Sequence, residues 1–231
     1  MTTTFITGAN KSLGHETARR LIKAGHTVLI GARDPGRGQA AADSLGARFV
    51  QIDVTDDESV QAAAADVAAH EGAIDVLVNN AGVNQPYKPA DELTAVDAAG
   101  VFDVNVIGVV RVTHAFLPLL RKSANPVVVN VSSGMGSFTA THDPSRVESQ
   151  FAAPLYTASK SALTMLTTQY AKALPDMKVN AADPGYTATD FNDNSGHQTV
   201  SEGTDAIVAL ATLGTDGPTG QFRDRHGVVG W

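Results

Sequence analysis

Cysteine is absent from the 231 residues, which excludes disulfides, thiol nucleophiles and Cys-ligated zinc at once. No uninterrupted apolar run approaches the roughly 18 residues of a membrane span, and Met1 to Gly8 lacks the basic region and long apolar stretch of a secretory signal. The expectation is a cytoplasmic protein with no membrane partner. Positive charge is in short supply: 17 Lys plus Arg against 24 Asp plus Glu leave a formal net charge of -7. That balance opposes a surface built to neutralise phosphates, so no nucleic-acid partner is expected. Tryptophan occurs once, as Trp231, and the seven histidines show no metal-ligand spacing, so no metal site is expected. What remains is ordinary for a globular chain, 43% apolar and 18% charged. Such a chain buries a real core but is too short for two full enzyme domains.

Apolar runs and helical segments alternate along the chain. Thr4 to Thr7 reads as a strand ending in a Gly/Asn/Lys/Ser turn, followed by Leu13, Thr17, Leu21 and Ile22 at helical spacing. His26 to Gly31 is a second strand run, Gly38 to Leu45 a helix closed by Gly46, and Phe49 to Ile52 a third strand. Asp53 to Asp57 supply cap candidates for a helix over Glu58 to His70. Ile74 to Val78, Pro126 to Val131, Lys178 to Ala182 and a short run at Phe222 complete seven strands. Helices are expected over Val96 to Leu120, Pro154 to Leu174 and Thr204 to Leu213. Such alternation implies an α/β fold, a single doubly wound domain over residues 1–231 with a mostly parallel seven-stranded sheet. Two irregular segments, about 134–153 and 186–203, follow strands and so fall where open α/β sheets bind ligands.

Two short patterns carry chemistry. Thr7-Gly8-Ala9-Asn10-Lys11-Ser12-Leu13-Gly14 lies between the first strand and first helix, where backbone N–H groups and the helix dipole can hold a pyrophosphate. Tyr156-Thr-Ala-Ser-Lys160 opens a helix, and a spacing of four puts phenol and ammonium on one face, where the cation can favour phenolate. Ser132-Ser133 ends the preceding strand, from which a hydroxyl can meet the phenol across a substrate carbonyl.

Together with Asn79-Asn80-Ala81-Gly82, Asn105-Val106, Pro184-Gly185-x-x-x-Thr189 and Gly217-Pro218-Thr219-Gly220, these residues resemble the short-chain dehydrogenases/reductases, and among them the carbonyl-reductase-like members. The resemblance spans essentially the whole chain and implies a Rossmann-type fold. It implies a catalytic set of Ser133, Tyr156, Lys160 and Asn105. Tyr156 would be the general acid, Ser133 would polarise the carbonyl oxygen, Lys160 would lower the Tyr156 pKa and hold the nicotinamide ribose, and Asn105 would anchor a relay water. Gly8, Asn10, Lys11, Ser12, Leu13 and Gly14 match the phosphate loop. Asp53 and Val54 match positions near adenine, Asn79, Ala81 and Gly82 the adenosine side, and Pro184, Gly185, Thr187 and Thr189 the nicotinamide end.

Cofactor choice follows from charge. NAD binders place an acid after the second strand, whereas an arginine there accommodates the 2′-phosphate of NADP; here the run reads Ala32-Arg33-Asp34. NADP(H) is therefore expected over NAD(H). The reaction implied is NADPH-dependent reduction of a ketone or aldehyde to an alcohol. An alcohol dehydrogenase running towards oxidation and a non-catalytic NADP-binding sensor or scaffold are the alternatives. Ser12 departs from the second glycine of the family's loop, and the interval between Ser133 and Tyr156 exceeds that of its plain reductases. The inserted segment reads as a polar loop that either borders the substrate pocket or is a surface excursion. The resemblance implies a homodimer or homotetramer, and the insert is placed to obstruct that interface, which leaves a monomer open.

Overall fold

The seven apolar runs become β1 Thr3–Thr7, β2 Thr27–Ala32, β3 Arg48–Gln51, β4 Val76–Asn79, β5 Val127–Val131, β6 Lys178–Ala182 and β7 Phe222–Asp224, and an eighth strand follows, β8 Gly227–Val228. The computed structural model describes residues 1–231. The helices between them are α1 Ser12–Lys23, α2 Pro35–Leu45, α3 Asp57–His70, α4 Ala95–Phe102, α5 Gly108–Leu120, α6 Phe138–His142, α7 Pro154–Ala173, α8 Val200–Gly203 and α9 Asp205–Ala211. Local chemistry explains several ends. Asp34 caps α2 by accepting the Arg37 N–H, with Pro35 in the first turn and Gly46 closing the helix at φ 63°. Asp56 caps α3, and Thr94 with Asp97 forms a reciprocal capping box at the start of α4.

The sheet order is β3-β2-β1-β4-β5-β6-β7-β8, with every pair parallel except β7 with β8. The sheet therefore has eight strands, one more than the apolar runs announce. Asp224 Oδ1 accepts the His226 and Gly227 N–H groups, and the chain turns back so that Arg223 faces Val228. Such a two-residue strand is too short to leave a periodic signal.

Side chains on a strand alternate between faces, and both faces here are apolar because helices cover both. Ile6, Val28, Val76, Val78, Val127 and Val129 pack with residues of α1, α2 and α9. Phe5, Leu29, Leu77, Val128 and Val179 pack with α3 and α5, where Phe116 stacks on Phe5 at 4.5 Å between ring centroids. The expected single helix over Val96 to Leu120 is broken. A π-helical turn at Asp103–Ile107 separates α4 from α5, and buried Asn105 lies inside it. The order in which strands are added reverses at β1, which has β2 on one side and β4 on the other, all parallel. A cleft opens there beyond the carboxyl ends of the strands.

Candidate active site

The first wall of the cleft is backbone. Gly8 sits at φ 64°, and a Cβ on it would lie 3.0 Å from the Cα of Ala81. A Cβ on Gly14 would lie 2.5 Å from Asn80 Nδ2 and 2.6 Å from the Gly8 carbonyl oxygen, so α1 packs against the β4 end only because position 14 has no side chain. Thr7 Oγ1 accepts the Asn80 and Ala81 N–H groups at 3.0 Å each, and Asn80 Nδ2 donates to the carbonyls of Thr7 and Gly8. The ends of β1 and β4 are thereby stitched together. Ser12 adopts φ 49°, the left-handed region, where the family's glycine would be unstrained. Its hydroxyl donates to Asp190 Oδ1 at 2.5 Å, and Lys11 Nζ donates to the other oxygen of the same carboxylate.

Gly8, Asn10, Lys11, Ser12, Leu13, Gly14, Arg33, Asp53, Val54, Ala81, Gly82, Pro184, Gly185, Thr187 and Thr189 all line one cavity of about 1040 Å³, together with Ser133, Tyr156 and Lys160. Asn79 does not. Its amide is buried in the sheet, donating to Asn130 Oδ1 at 2.9 Å and Thr113 Oγ1 at 3.2 Å, because the pleat turns it away from the cleft while Asn80 faces in. At the β2 end, Arg33, Asp34 and Arg37 all line the cavity, with the Asp34 carboxylate engaged in capping α2. Arg37 went unnoticed in the sequence, although its place three residues after a capping Asp puts it in the first turn beside Arg33.

Ser133 extends from the end of β5 towards Tyr156, whereas Ser132 is turned into the protein and bonds Thr164 Oγ1 at 2.9 Å. The N-terminus of α7 carries no cap of its own. Gln85 supplies one from the loop after β4, its Oε1 accepting the N–H groups of Leu155 and Tyr156 at 2.9 and 3.1 Å. Asn105 lies outside the cavity lining. Its Oδ1 accepts the Val83 N–H, and its Nδ2 donates to the Val83 carbonyl and to Ser159 Oγ at 3.0 Å. Ser159 in turn donates to the Tyr156 carbonyl at 2.7 Å, so Asn105 pins the first turn of α7.

Burial pushes the Tyr156 phenol up to about 12; the Ser133 hydroxyl beside it pulls the other way, and the charge of Asp183 adds to the rise. Burial likewise brings Lys160 down to about 8 against the pull of Asp183. The ammonium donates to the Val131 carbonyl at 2.9 Å and stands 5.7 Å from the tyrosine ring centroid. The site holds a neutral phenol, the form a proton donor needs.

The substrate side is built by the two irregular segments. The insert before Tyr156 is not a plain loop: it carries α6 and two short 3-10 turns, Gly134–Gly136 and Val147–Gln150. Met135, Val147, Glu148 and Phe151 from it line the cavity, so it borders the pocket. Opposite stand Tyr186, Phe191 and Asp193 of the 186–203 segment, where Thr189 caps a 3-10 turn over Asp190–Asn192. Thr187 Oγ1 donates to the Pro184 carbonyl at 2.9 Å. Trp231 stacks on Phe222 with ring centroids 6.0 Å apart, and its carbonyl accepts from Thr139 of α6. Asp183, buried just before Pro184, also lines the cleft; a carboxyl at a strand end was a legible signal that the motif reading passed over.

The family model of the short chain dehydrogenases matches residues 2–199. The chain belongs to that family. A short-chain dehydrogenase named anuI from Penicillium roqueforti (strain FM164) is 36% identical, covering 91% of this chain and 88% of that protein. (+)-Neomenthol dehydrogenase from Capsicum annuum is 28% identical, covering 97% of this chain and 96% of its own length. Among solved structures, NADPH-bound carbonyl reductase from chicken fatty liver superposes with a TM-score of 0.88 at 28% identity, covering 99% of this chain and 98% of the other. This short-chain dehydrogenase is carbonyl-reductase-like, with reductases among its relatives. No helix in it is long and apolar enough to cross a membrane.

Proposed function

We propose that the protein catalyses NADPH-dependent reduction of a ketone or aldehyde to an alcohol, with Tyr156 as general acid. The observation that carries this reading is the meeting of Ser133, Tyr156 and Lys160 in the same cavity that Lys11, Arg33 and Arg37 line. The cavity fits a dinucleotide: the backbone at Gly8 and Gly14 leaves no room for a Cβ, and the N-terminus of α1 faces the loop. Gly8, Asn10, Ser12, Leu13 and Gly14 would hold the pyrophosphate. Asp53, Val54, Ala81 and Gly82 would line the adenosine side. Arg33 and Arg37 would pair with a 2′-phosphate, since Ala32 supplies no acid to meet a ribose hydroxyl there. Pro184, Gly185, Thr187 and Thr189 would frame the nicotinamide, and Lys160 would reach its ribose.

When bound, the cofactor supplies the hydride. Ser133 donates a hydrogen bond to the substrate oxygen and fixes it beside Tyr156. Tyr156, a neutral phenol whose proton burial holds more firmly still, delivers that proton to the substrate oxygen. Lys160 holds positive charge close to the ring, and Asn105 acts through Ser159 by keeping the first turn of α7 in place. A small-molecule substrate and a cytoplasmic location go with this reading.

Oxidation of NADPH, followed by its own absorbance against aldehydes, simple ketones, diones and quinones with NADH in parallel, tests it. Turnover preferring NADPH is the expected result. Equal turnover with NADH at low concentration would remove the cofactor assignment. Tight NADPH binding with no turnover in either direction would favour a sensor.

A further inference from the structure

The substrate half of the cleft combines an aromatic wall with buried negative charge that lacks a counter-ion. Phe151 of the insert and Tyr186 stand 5.6 Å apart between ring centroids, Tyr186 and His197 5.9 Å, and Phe191 lies 5.6 Å from Tyr156. Phe151 and Phe191 remain 51% and 37% exposed, so apolar ring surface is left uncovered around the reacting phenol. Flat apolar groups stack favourably on such faces.

Behind the wall sits Asp183, 3% exposed. Its Oδ1 accepts the Gly185 N–H at 2.8 Å, and its Oδ2 has no hydrogen-bond partner. Glu148, 8% exposed, crowds the same side of Gly134. Of the cations around them, each is engaged. Arg146 commits Nε and Nη2 to the two oxygens of Glu148, at 3.1 and 2.9 Å. Lys160 donates to Val131, Lys88 to Asp97 at 3.0 Å, and Lys11 to Asp190. Asp193 adds a further carboxylate to the lining, and Asp224 acts on Asp183 from β7. An anionic substrate entering here meets buried carboxylates and no free cation, and burial of those carboxylates weakens the screening of their charge. The burial of Asp183 reaches only far enough to bring its carboxyl up to about 6, so it is ionised at neutral pH.

Resting on the carbonyl-reductase reading above, we propose that this cleft takes ring-bearing carbonyl compounds that are neutral or cationic and rejects anionic ones, with Asp183 and Glu148 as the residues that set this charge preference. The aromatic wall accounts for the ring and the Asp183 carboxylate, which no cation pairs, for the sign, while Glu148 keeps Arg146 occupied. The reaction itself would proceed on any carbonyl, so the preference belongs to these two side chains and not to Tyr156 or Ser133.

The test compares three acetophenones differing only at the para position: carboxamide, carboxylate and aminomethyl. At pH 7.5 with NADPH, the carboxylate is expected to show kcat/KM at least about tenfold below the carboxamide, the like-charge cost of a partly shielded pair. The aminomethyl compound is expected to equal or exceed the carboxamide. Within Asp183→Asn and within Glu148→Gln, the carboxylate-to-carboxamide ratio is expected to rise several-fold, a change that a purely structural role would not produce. A carboxylate turned over within threefold of the carboxamide, or a ratio unmoved in both variants, would overturn the proposal. Calorimetric binding of the same three compounds to the NADPH-loaded protein separates the two readings. A charge order in affinity without turnover of any carbonyl removes the reductase and keeps the charge preference; turnover with no charge order in binding or rate does the reverse.

Discussion

The two ends of the cleft are built by different means. The end beside β1 is made of backbone: a single carbon added at Gly8 or Gly14 collides with the neighbouring chain, and the Thr7 hydroxyl ties the Ala81 backbone to it. Its cations, Lys11, Arg33 and Arg37, are exposed; Lys11 is paired with Asp190, whereas Arg33 approaches Asp53 only to 3.8 Å and Arg37 approaches Asp34 only to 3.5 Å. The end beside β5 and β6 is made of side chains from distant segments: Phe151, Glu148, Tyr156, Asp183, Tyr186 and Phe191. A ligand whose shape is constant can be held by a backbone cradle, whose geometry depends on a few adjacent residues. A ligand that varies from one relative to another has to be met by side chains on inserted segments, which can change without disturbing the sheet.

Breaking the side-chain end at its centre has the largest expected effect. Tyr156→Phe removes the transferable proton and is expected to lower kcat by about 10²–10⁴, with NADPH affinity, read by fluorescence titration, close to that of the parent. Retained turnover would take the general-acid role away from Tyr156.

The buried carboxyl of the same end sets the next prediction. In the folded chain Asp183 titrates near 6, against its ordinary 3.8. A raised pKa means that folding favours the protonated form, so this contribution to stability is complete below about pH 4 and is lost as pH rises through 6. Asp183→Asn keeps the acceptor for Gly185 and removes the charge. The variant is expected to be more stable than the parent at pH 8 by up to about 3 kcal/mol, with the advantage vanishing near pH 4; melting curves at the two pH values check it. An advantage that does not grow with pH would contradict the assignment.

At the backbone end the predictions are smaller. Arg33→Ala with Arg37→Ala is expected to lower kcat/KM for NADPH by roughly 10- to 100-fold, the scale of charge-assisted contacts, and to leave NADH within a few-fold. Ser12→Gly removes a left-handed serine and one exposed hydrogen bond. The expected gain is about 1 kcal/mol or less, seen as a slightly higher melting temperature. A fall would mean that the bond to Asp190 outweighs the strain.

The same contrast governs how much could be read in advance. The cleft positions of the glycine turn after β1, of Tyr156 with Lys160, and of Ser133 were legible because each depends on neighbours within a helix turn or at a strand end. The strands of the parallel sheet were legible because helices cover both faces, leaving runs that are apolar nearly throughout, such as Val127 to Val131 with only Asn130 polar. Asn79 was misplaced because strand parity, and not the motif, decides which of two adjacent asparagines faces the cleft. Gln85 could not be found at all, since it caps α7 from about 70 residues away.

Alternation of apolar runs and capped segments therefore determined, by itself, the α/β class, the parallel sheet and the end of the sheet at which the cleft lies. These follow from local dihedral preferences and from the need of each apolar face to be covered. Tertiary structure alone decided the ionisation of the cleft. The raised Tyr156, the lowered Lys160 and the half-satisfied Asp183 depend on burial and on which charges segments far apart bring together. Desolvation is a property of the surroundings in space, and no residue carries it in its place along the chain.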